Sequence, residues 1–307
     1  MKKKKINKKR VLILFLIIAI IIVSIIKLNK KSSKNEDTEI DEQAQTTEQV
    51  SNDNKANDNQ NKEDENFVLE QKLQTGKKLS EDGLPVLMYH FFYDKSKDSG
   101  KDGNWIEISN FEEQMKYLAE NDFYFPTWEQ VENYIDGKQE LPEKSIVITV
   151  DDGDPSFFEL AVPIIQKYKI PTTSFVITYW YGNRANDKQD YVSYQSHSYD
   201  MHKAGSNGKG VMLSWDYDKI KDDILLSRDV LGGANIFCYP FGQYNDLDIK
   251  VLKENGYRLA FTTKGGKVKK GSSKYELPRV RISGNTGIEE FKKKLEIEYN
   301  KALKAVV

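Results

Sequence analysis

The chain is nearly devoid of cysteine: Cys238 is the only one in 307 residues. That excludes an internal disulfide, so the fold must be held by a buried core, alone or with a metal. Histidine is almost as scarce. His90, His197 and His202 are the full set, and none follows His202. Net charge is close to nil, at −1, and gives no reason to expect nucleic acid as a partner. There is no internal repeat. The length allows one large domain or two small ones.

What is present is sharply segmented. Residues 1–10 form a basic segment, expected to be cytoplasmic, with Lys2, Lys3, Lys4, Lys5, Lys8, Lys9 and Arg10. Val11 to Ile26 is an apolar run in which Ser24 is the only polar residue. It is slightly short of the roughly 20 residues of a spanning helix, but Lys27 and Lys30 can snorkel. The run also suits a signal-peptide core, yet no small-x-small cleavage site follows it. An uncleaved signal anchor over 11–28 is therefore expected. The preceding basic cluster is expected to keep the amino end inside, so the remainder of the chain is expected outside a cell membrane crossed once. No cysteine follows the run to take a lipid. Residues 29–83 carry almost no large apolar side chains before Phe67. They read as a disordered linker, able to reach roughly 40 Å if about 50 residues long.

From residue 84 to 307 the pattern becomes that of a folded domain. Apolar strand signals at Leu84–His90, Ser145–Gly153, Thr172–Thr178, Ile236–Tyr239, Leu259–Thr262 and Leu277–Ile282 alternate with helical spacing. Helices are expected from Ser109 (a capping box with Glu112), Thr127–Ile135, Pro155–Tyr168, Trp215–Val230, Leu247–Asn255 and Ile288–Lys304. Phe123–Phe125 reads as a brief strand. The alternation predicts an α/β domain with a parallel, helix-wrapped sheet, open or closed into a barrel.

The central strand is Ser145-Ile-Val-Ile-Thr-Val-Asp-Asp-Gly153. Five β-branched residues precede two carboxylates. Alternation along a strand would send Asp151 and Asp152 apart, unless the strand ends there, as Gly153 permits. Paired acids at the carboxyl end of a core strand suit an active-site mouth; the plainer reading is a turn with solvated acids. His197 and His202 are five apart, so only a loop or helix entrance can bring both rings together. Two imidazoles and one carboxylate would make an open three-ligand site for a divalent ion. Surface histidines in a polar loop are the alternative.

These pieces, in this order, resemble the polysaccharide deacetylases, the NodB-homology enzymes of carbohydrate esterase family 4. Thr149-Val-Asp-Asp-Gly153 stands for that family's Thr-Phe-Asp-Asp-Gly. His197-Ser198 to His202 stands for its His-(Ser/Thr) element, and Cys238-Tyr-Pro-Phe-Gly242 for its Arg-x-Pro-(Tyr/Phe)-Gly. Pro85-Val-Leu-Met-Tyr-His90 looks like the branch acting on biofilm poly-N-acetylglucosamine. The resemblance spans roughly residues 84–285. It implies a distorted (β/α)7 barrel, with Asp152, His197 and His202 as ligands of Zn2+ or a similar divalent ion. It also implies Asp151 as general base and the backbone N–H of Phe241 as an oxyanion donor, a role worth about 3 kcal/mol.

Two departures matter. No histidine occupies the family's late Leu-x-His position, so His90 is expected as general acid, with substrate orientation or a structural role as alternatives. Cys238 stands where the family has an arginine holding the catalytic aspartate; Arg279 or Arg281 is expected to supply that guanidinium. Val150 replaces the usual Phe, and Asp154 adds a third acid. Tyr179, Trp180, Tyr181, Tyr191, Tyr194 and Trp215 crowd the histidines, as rings that stack on sugars do, although half of them suit core or loop packing. The implied activity is removal of N-acetyl groups from an extracellular N-acetylglucosamine polymer, in biofilm or peptidoglycan. A catalytically silent carbohydrate-binding protein on the same fold stays open, favoured by the two departures. A glycoside hydrolase would fit a barrel but not a metal triad.

Overall fold

A computed structural model describes residues 78–79, 81–206 and 208–296. The expected basic segment, the anchor at 11–28, most of the 29–83 linker and the last turns of the final helix lie outside these residues. Among the described residues, no helix is long and apolar enough to cross a membrane.

Seven parallel strands close into a barrel in the order β1 (Val86–Tyr89), β4 (Val147–Asp152), β5 (Thr172–Val176), β6 (Val192–Ser196), β7 (Ile236–Cys238), β8 (Leu259–Gly265) and β9 (Leu277–Arg281). β9 pairs back onto β1, through Leu87 with Val280 and Met88 with Arg281. The distortion is local. β6 and β7 are joined at one register position, Ser196 with Phe237. The β8–β9 ladder shifts register between Phe261 and Gly265. A separate parallel pair, β2 (Phe91–Tyr93) and β3 (Trp105–Glu107), follows β1.

Helices cover the outside: α1 (Ile108–Glu120), α2 (Trp128–Ile135), α3 (Val162–Tyr168, entered through a π-turn at Phe157–Ala161), α4 (Thr178–Tyr181), α5 (Tyr217–Val230), α6 (Asp246–Glu254) and α7 (Ile288–Glu296). Alternation along the strands sends apolar side chains to both faces. Val86, Val147, Phe175, Ile236, Leu259, Phe261 and Leu277 face one another in a cluster that α2 joins with Val131, Tyr134 and Ile135. Leu87, Tyr89, Ile148 and Val150 face the other way and pack with α1 and α3. Each fully buried aliphatic or aromatic side chain contributes about 1.5–3 kcal/mol.

The helix expected at Thr127 opens on a capping box with Gln130. The capping box expected at Ser109 is absent. α1 begins one residue earlier, and the Glu107 carboxylate accepts the Ser109 N–H at 3.0 Å, because an anion at the first turn also meets the helix dipole favourably. Glu112 instead pairs with Lys167. The expected strand at Phe123–Phe125 is a single bridge, Tyr124 to Ser145. Chain pairing starts before Leu84: the Leu79 N–H donates to the Leu141 carbonyl at 2.7 Å. β2, β3 and β6 are strands the sequence pattern did not announce. β6, Val-Ser-Tyr-Gln-Ser, is too polar to read as a core strand, yet it delivers His197.

Candidate active site

The two acids end β4 on a sharp backbone turn. Asp152 has φ 75° and Gly153 φ 77°, so the strand ends in two consecutive left-handed residues, and each acid comes within reach of His197. A Cβ on Gly153 would meet Val176 at 3.0 Å.

Asp151 is held by Arg279, which rises from β9 inside the barrel. Nη1 donates to Oδ1 and Nη2 to Oδ2, both at 2.7 Å. The remaining guanidinium N–H groups reach Thr262 O at 3.0 Å, Thr149 Oγ1 at 3.1 Å and Cys238 Sγ at 3.1 Å. All five donors of a fully buried arginine are thus used. Burial alone would raise the Asp151 pKa, but the Arg279 guanidinium holds it well below the usual carboxylate range. Arg281 does not share this role. It lies two residues further along the strand, roughly 7 Å nearer the rim, where its exposed guanidinium donates to Asn104. The expectation that Arg279 or Arg281 reaches Asp151 resolves to Arg279.

His90 follows β1 directly and faces the same carboxylate, with Nε2 3.7 Å from Asp151 Oδ2. Burial lowers its pKa, partly offset by Asp151.

On the other side, Asp152 Oδ1 lies 3.4 Å from His197 Nε2 and 3.6 Å from His202 Nε2, with the rings 4.8 Å apart. His197 Nδ1 is 2.7 Å from the Cys238 carbonyl. A carbonyl only accepts, so Nδ1 carries a proton and Nε2 is the ring nitrogen that faces Asp152. Burial and the neighbouring His197 bring the His202 pKa down to about 4, leaving that ring neutral. Burial works the same way on His197, but Cys238 and Asp152 override it and hold that ring well above the ordinary range. Asp152 Oδ1 is buried and has no hydrogen-bond partner among the described residues. Two ring nitrogens aimed at an unsatisfied carboxylate oxygen fit a shared cation, and this buried Asp-His-His group could hold a metal. A second donor group, Asp151, His197 and Cys238, also converges. Its atoms are already engaged, Asp151 by Arg279 and His197 Nδ1 by a carbonyl, so it offers no comparable site.

Phe241 sits beyond β7 in a left-handed conformation, φ 58°, with its ring 4.2 Å from that of His202. Gly242 follows at φ 68°, and a Cβ there would lie 2.2 Å from Thr263 Oγ1. Asp154 turns away and caps the next helix through the Ser156 N–H. Tyr191 and Trp215 pack against the cores, and Tyr194 stacks on Phe158. Tyr179 and Trp180 stay exposed, at 58% and 48%, as does Phe241 at 43%, and Trp180 approaches His202 at 6.3 Å.

Sequence reasoning missed Asp223 and Ser227 on α5: Asp223 accepts two backbone N–H groups of the histidine loop and Ser227 meets the Ser196 hydroxyl beside it. The signal was there: both fall on the Ile220–Ile224 stripe, where apolar residues belong.

A polysaccharide deacetylase family model matches residues 138–260, a stretch holding Asp151, Asp152, His197, His202 and Phe241 but not His90, Arg279 or Arg281. The poly-beta-1,6-N-acetyl-D-glucosamine N-deacetylase of Staphylococcus aureus is 29% identical over 212 residues, covering 63% of this chain and 72% of that protein. The structure of IcaB from Ammonifex degensii is 25% identical, with TM-score 0.58, over 71% of this chain and 98% of that one. The Streptococcus pyogenes deacetylase PplD, solved with acetate, shares the fold at TM-score 0.61 and 23% identity, over 69% and 98%. On the barrel, the family match and these relatives together, the chain is similar to the polysaccharide deacetylases.

Proposed function

We propose that this protein is a metal-dependent N-deacetylase of an extracellular N-acetylglucosamine polymer, releasing acetate and leaving a free amine. The observation that carries the reading is the buried, unsatisfied Asp152 Oδ1 between two imidazole nitrogens, next to a carboxylate locked by arginine. The relatives' named activity supports the substrate class.

Asp152, His197 and His202 would hold the ion, and two nitrogens with one oxygen favour zinc. A divalent ion there would supply an acidified water and a polarised acetamido carbonyl. Asp151, kept ionised by Arg279, takes the proton of the attacking water. His90, on the opposite side of that carboxylate, gives a proton to the departing amine nitrogen as the C–N bond breaks. The Phe241 N–H, presented by its left-handed turn, steadies the oxyanion. Tyr179 and Trp180 offer exposed ring faces to neighbouring sugars of the chain. Arg279 and His90 stand in for the arginine and late histidine whose absence had favoured a silent binding protein, so no observation now favours that reading. The apolar run at 11–28, preceded by basic residues, supports a membrane-anchored enzyme with its domain outside the cell.

The test is acetate release by the purified chain from poly-N-acetylglucosamine and from peptidoglycan, each with and without a chelator. Chelator-sensitive release from one polymer is expected. Glycan binding with no release from either, metal present, would overturn the assignment.

A further inference from the structure

α5 takes no part in the chemistry above, yet its buried side grips the loop that carries both histidines. Ile220 and Ile224 pack in a cluster with Phe237 and Tyr239. Asp223 and Ser227, one turn apart, are buried as well. Asp223 Oδ1 accepts the Tyr199 N–H at 2.7 Å and Oδ2 accepts the Asp200 N–H at 2.8 Å. Both amides lie between His197 and His202. Ser227 Oγ is 2.7 Å from Ser196 Oγ, which in turn accepts the Ser198 N–H at 3.2 Å.

The rest of the loop is tied down from within and from α4. Ser198 adopts φ 74°, and its Oγ accepts the Met201 N–H at 3.1 Å. The Ser198 and Tyr199 carbonyls accept N–H groups from Thr178 and Tyr179. None of these bonds needs an ion. A carboxylate buried against an apolar face is costly unless its oxygens are satisfied, and here each oxygen is satisfied by an amide of the loop.

We infer that Asp223, seconded by Ser227, is a positioning residue that presets the His197–His202 geometry before any metal arrives. The inference rests on the proposed metal site. It predicts that the ligands do not have to be ordered by the ion, so weakening α5's grip is felt as lost metal affinity, the behaviour of groups that orient ligands from behind.

The experiment uses the full chain, wild type and Asp223→Asn, stripped of metal. Asn keeps the size but presents an NH2 group where two amide donors need acceptors. Zinc affinity is measured by competition with a chromogenic chelator. Amide exchange at Tyr199 and Asp200 is followed in the metal-free proteins, alongside the thermal transition. Expected are a 10–100-fold weaker zinc affinity, faster exchange at both amides and a retained cooperative transition. Ser227→Ala should show a smaller loss of affinity in the same direction. Unchanged zinc affinity in Asp223→Asn, whatever its melting temperature, overturns the proposal and leaves Asp223 a purely structural residue. If Asp223→Asn fails to fold, unchanged affinity in Ser227→Ala overturns it. A wild-type chain with no stoichiometric zinc site sinks this proposal and the metal reading together; a wild-type site that the variants leave intact sinks this one alone.

Discussion

Arg279→Met removes the partner of a buried carboxylate while keeping an apolar stem of similar length. The five guanidinium bonds vanish, and Asp151 is left charged inside the barrel. Breaking such a pair costs about 3–5 kcal/mol, which for a domain of this size is a fall in Tm on the order of 10 °C. The pH dependence has a definite sign. In the wild type Asp151 is depressed below its unfolded value, so its stabilisation is present above that value and is lost as pH falls. In the variant, burial, the largest influence, is no longer offset by Arg279 and raises the pKa, so the deficit is largest at about pH 8 and shrinks toward about pH 5 as the carboxyl takes a proton. Adding Asp151→Asn should recover most of the loss, since both charges are then gone. Urea unfolding followed by tryptophan fluorescence across that range reads all three chains. A variant within about 1 kcal/mol of wild type at neutral pH, a small loss for a named buried mechanism, would refute the reasoning. So would a double variant less stable than the single one.

His90→Asn should lower turnover by about 100-fold or more, the usual scale of proton-transfer catalysis, with bound metal unchanged; loss of metal would make His90 a ligand instead. Because burial lowers the His90 pKa, the protonated donor is lost as pH rises through a value below 6.5, and kcat should fall along that limb. The limb should be absent in His90→Asn. Gly242→Ala places a Cβ against Thr263 at a positive φ and should cost roughly 2–5 kcal/mol by denaturation. Trp180→Ala should raise KM for a long polymer about fivefold, the equivalent of a stacking contact of about 1 kcal/mol; an unchanged KM would remove Trp180 from the glycan path.

Much of this arrangement was legible because strands with strong β-branched runs announce themselves. Ile146–Val150 and the strand ending at Cys238 were placed correctly, and their ends carry the acids and the turn at Phe241. The histidine pair was legible as a pair, but the strand feeding it was not. β6 is half polar and joins β7 at one register position, so its stability comes from β5 and not from its own pattern. Which arginine meets Asp151 depended on rise along β9, which composition cannot give. The tautomer of His197 is set by the carbonyl of Cys238, forty-one residues away, a partner that becomes visible only once β6 and β7 lie side by side. Asp223 left a trace, a carboxylate on an apolar stripe, whose meaning required the loop above it.

The most direct test of the metal reading is elemental analysis of the purified full chain beside Asp152→Ala, both after dialysis without chelator. One equivalent of a divalent ion in the wild type, zinc by the donor set, and its loss from the variant with the fold retained is the predicted result. An equal metal content in the two proteins, or none in either, would contradict it.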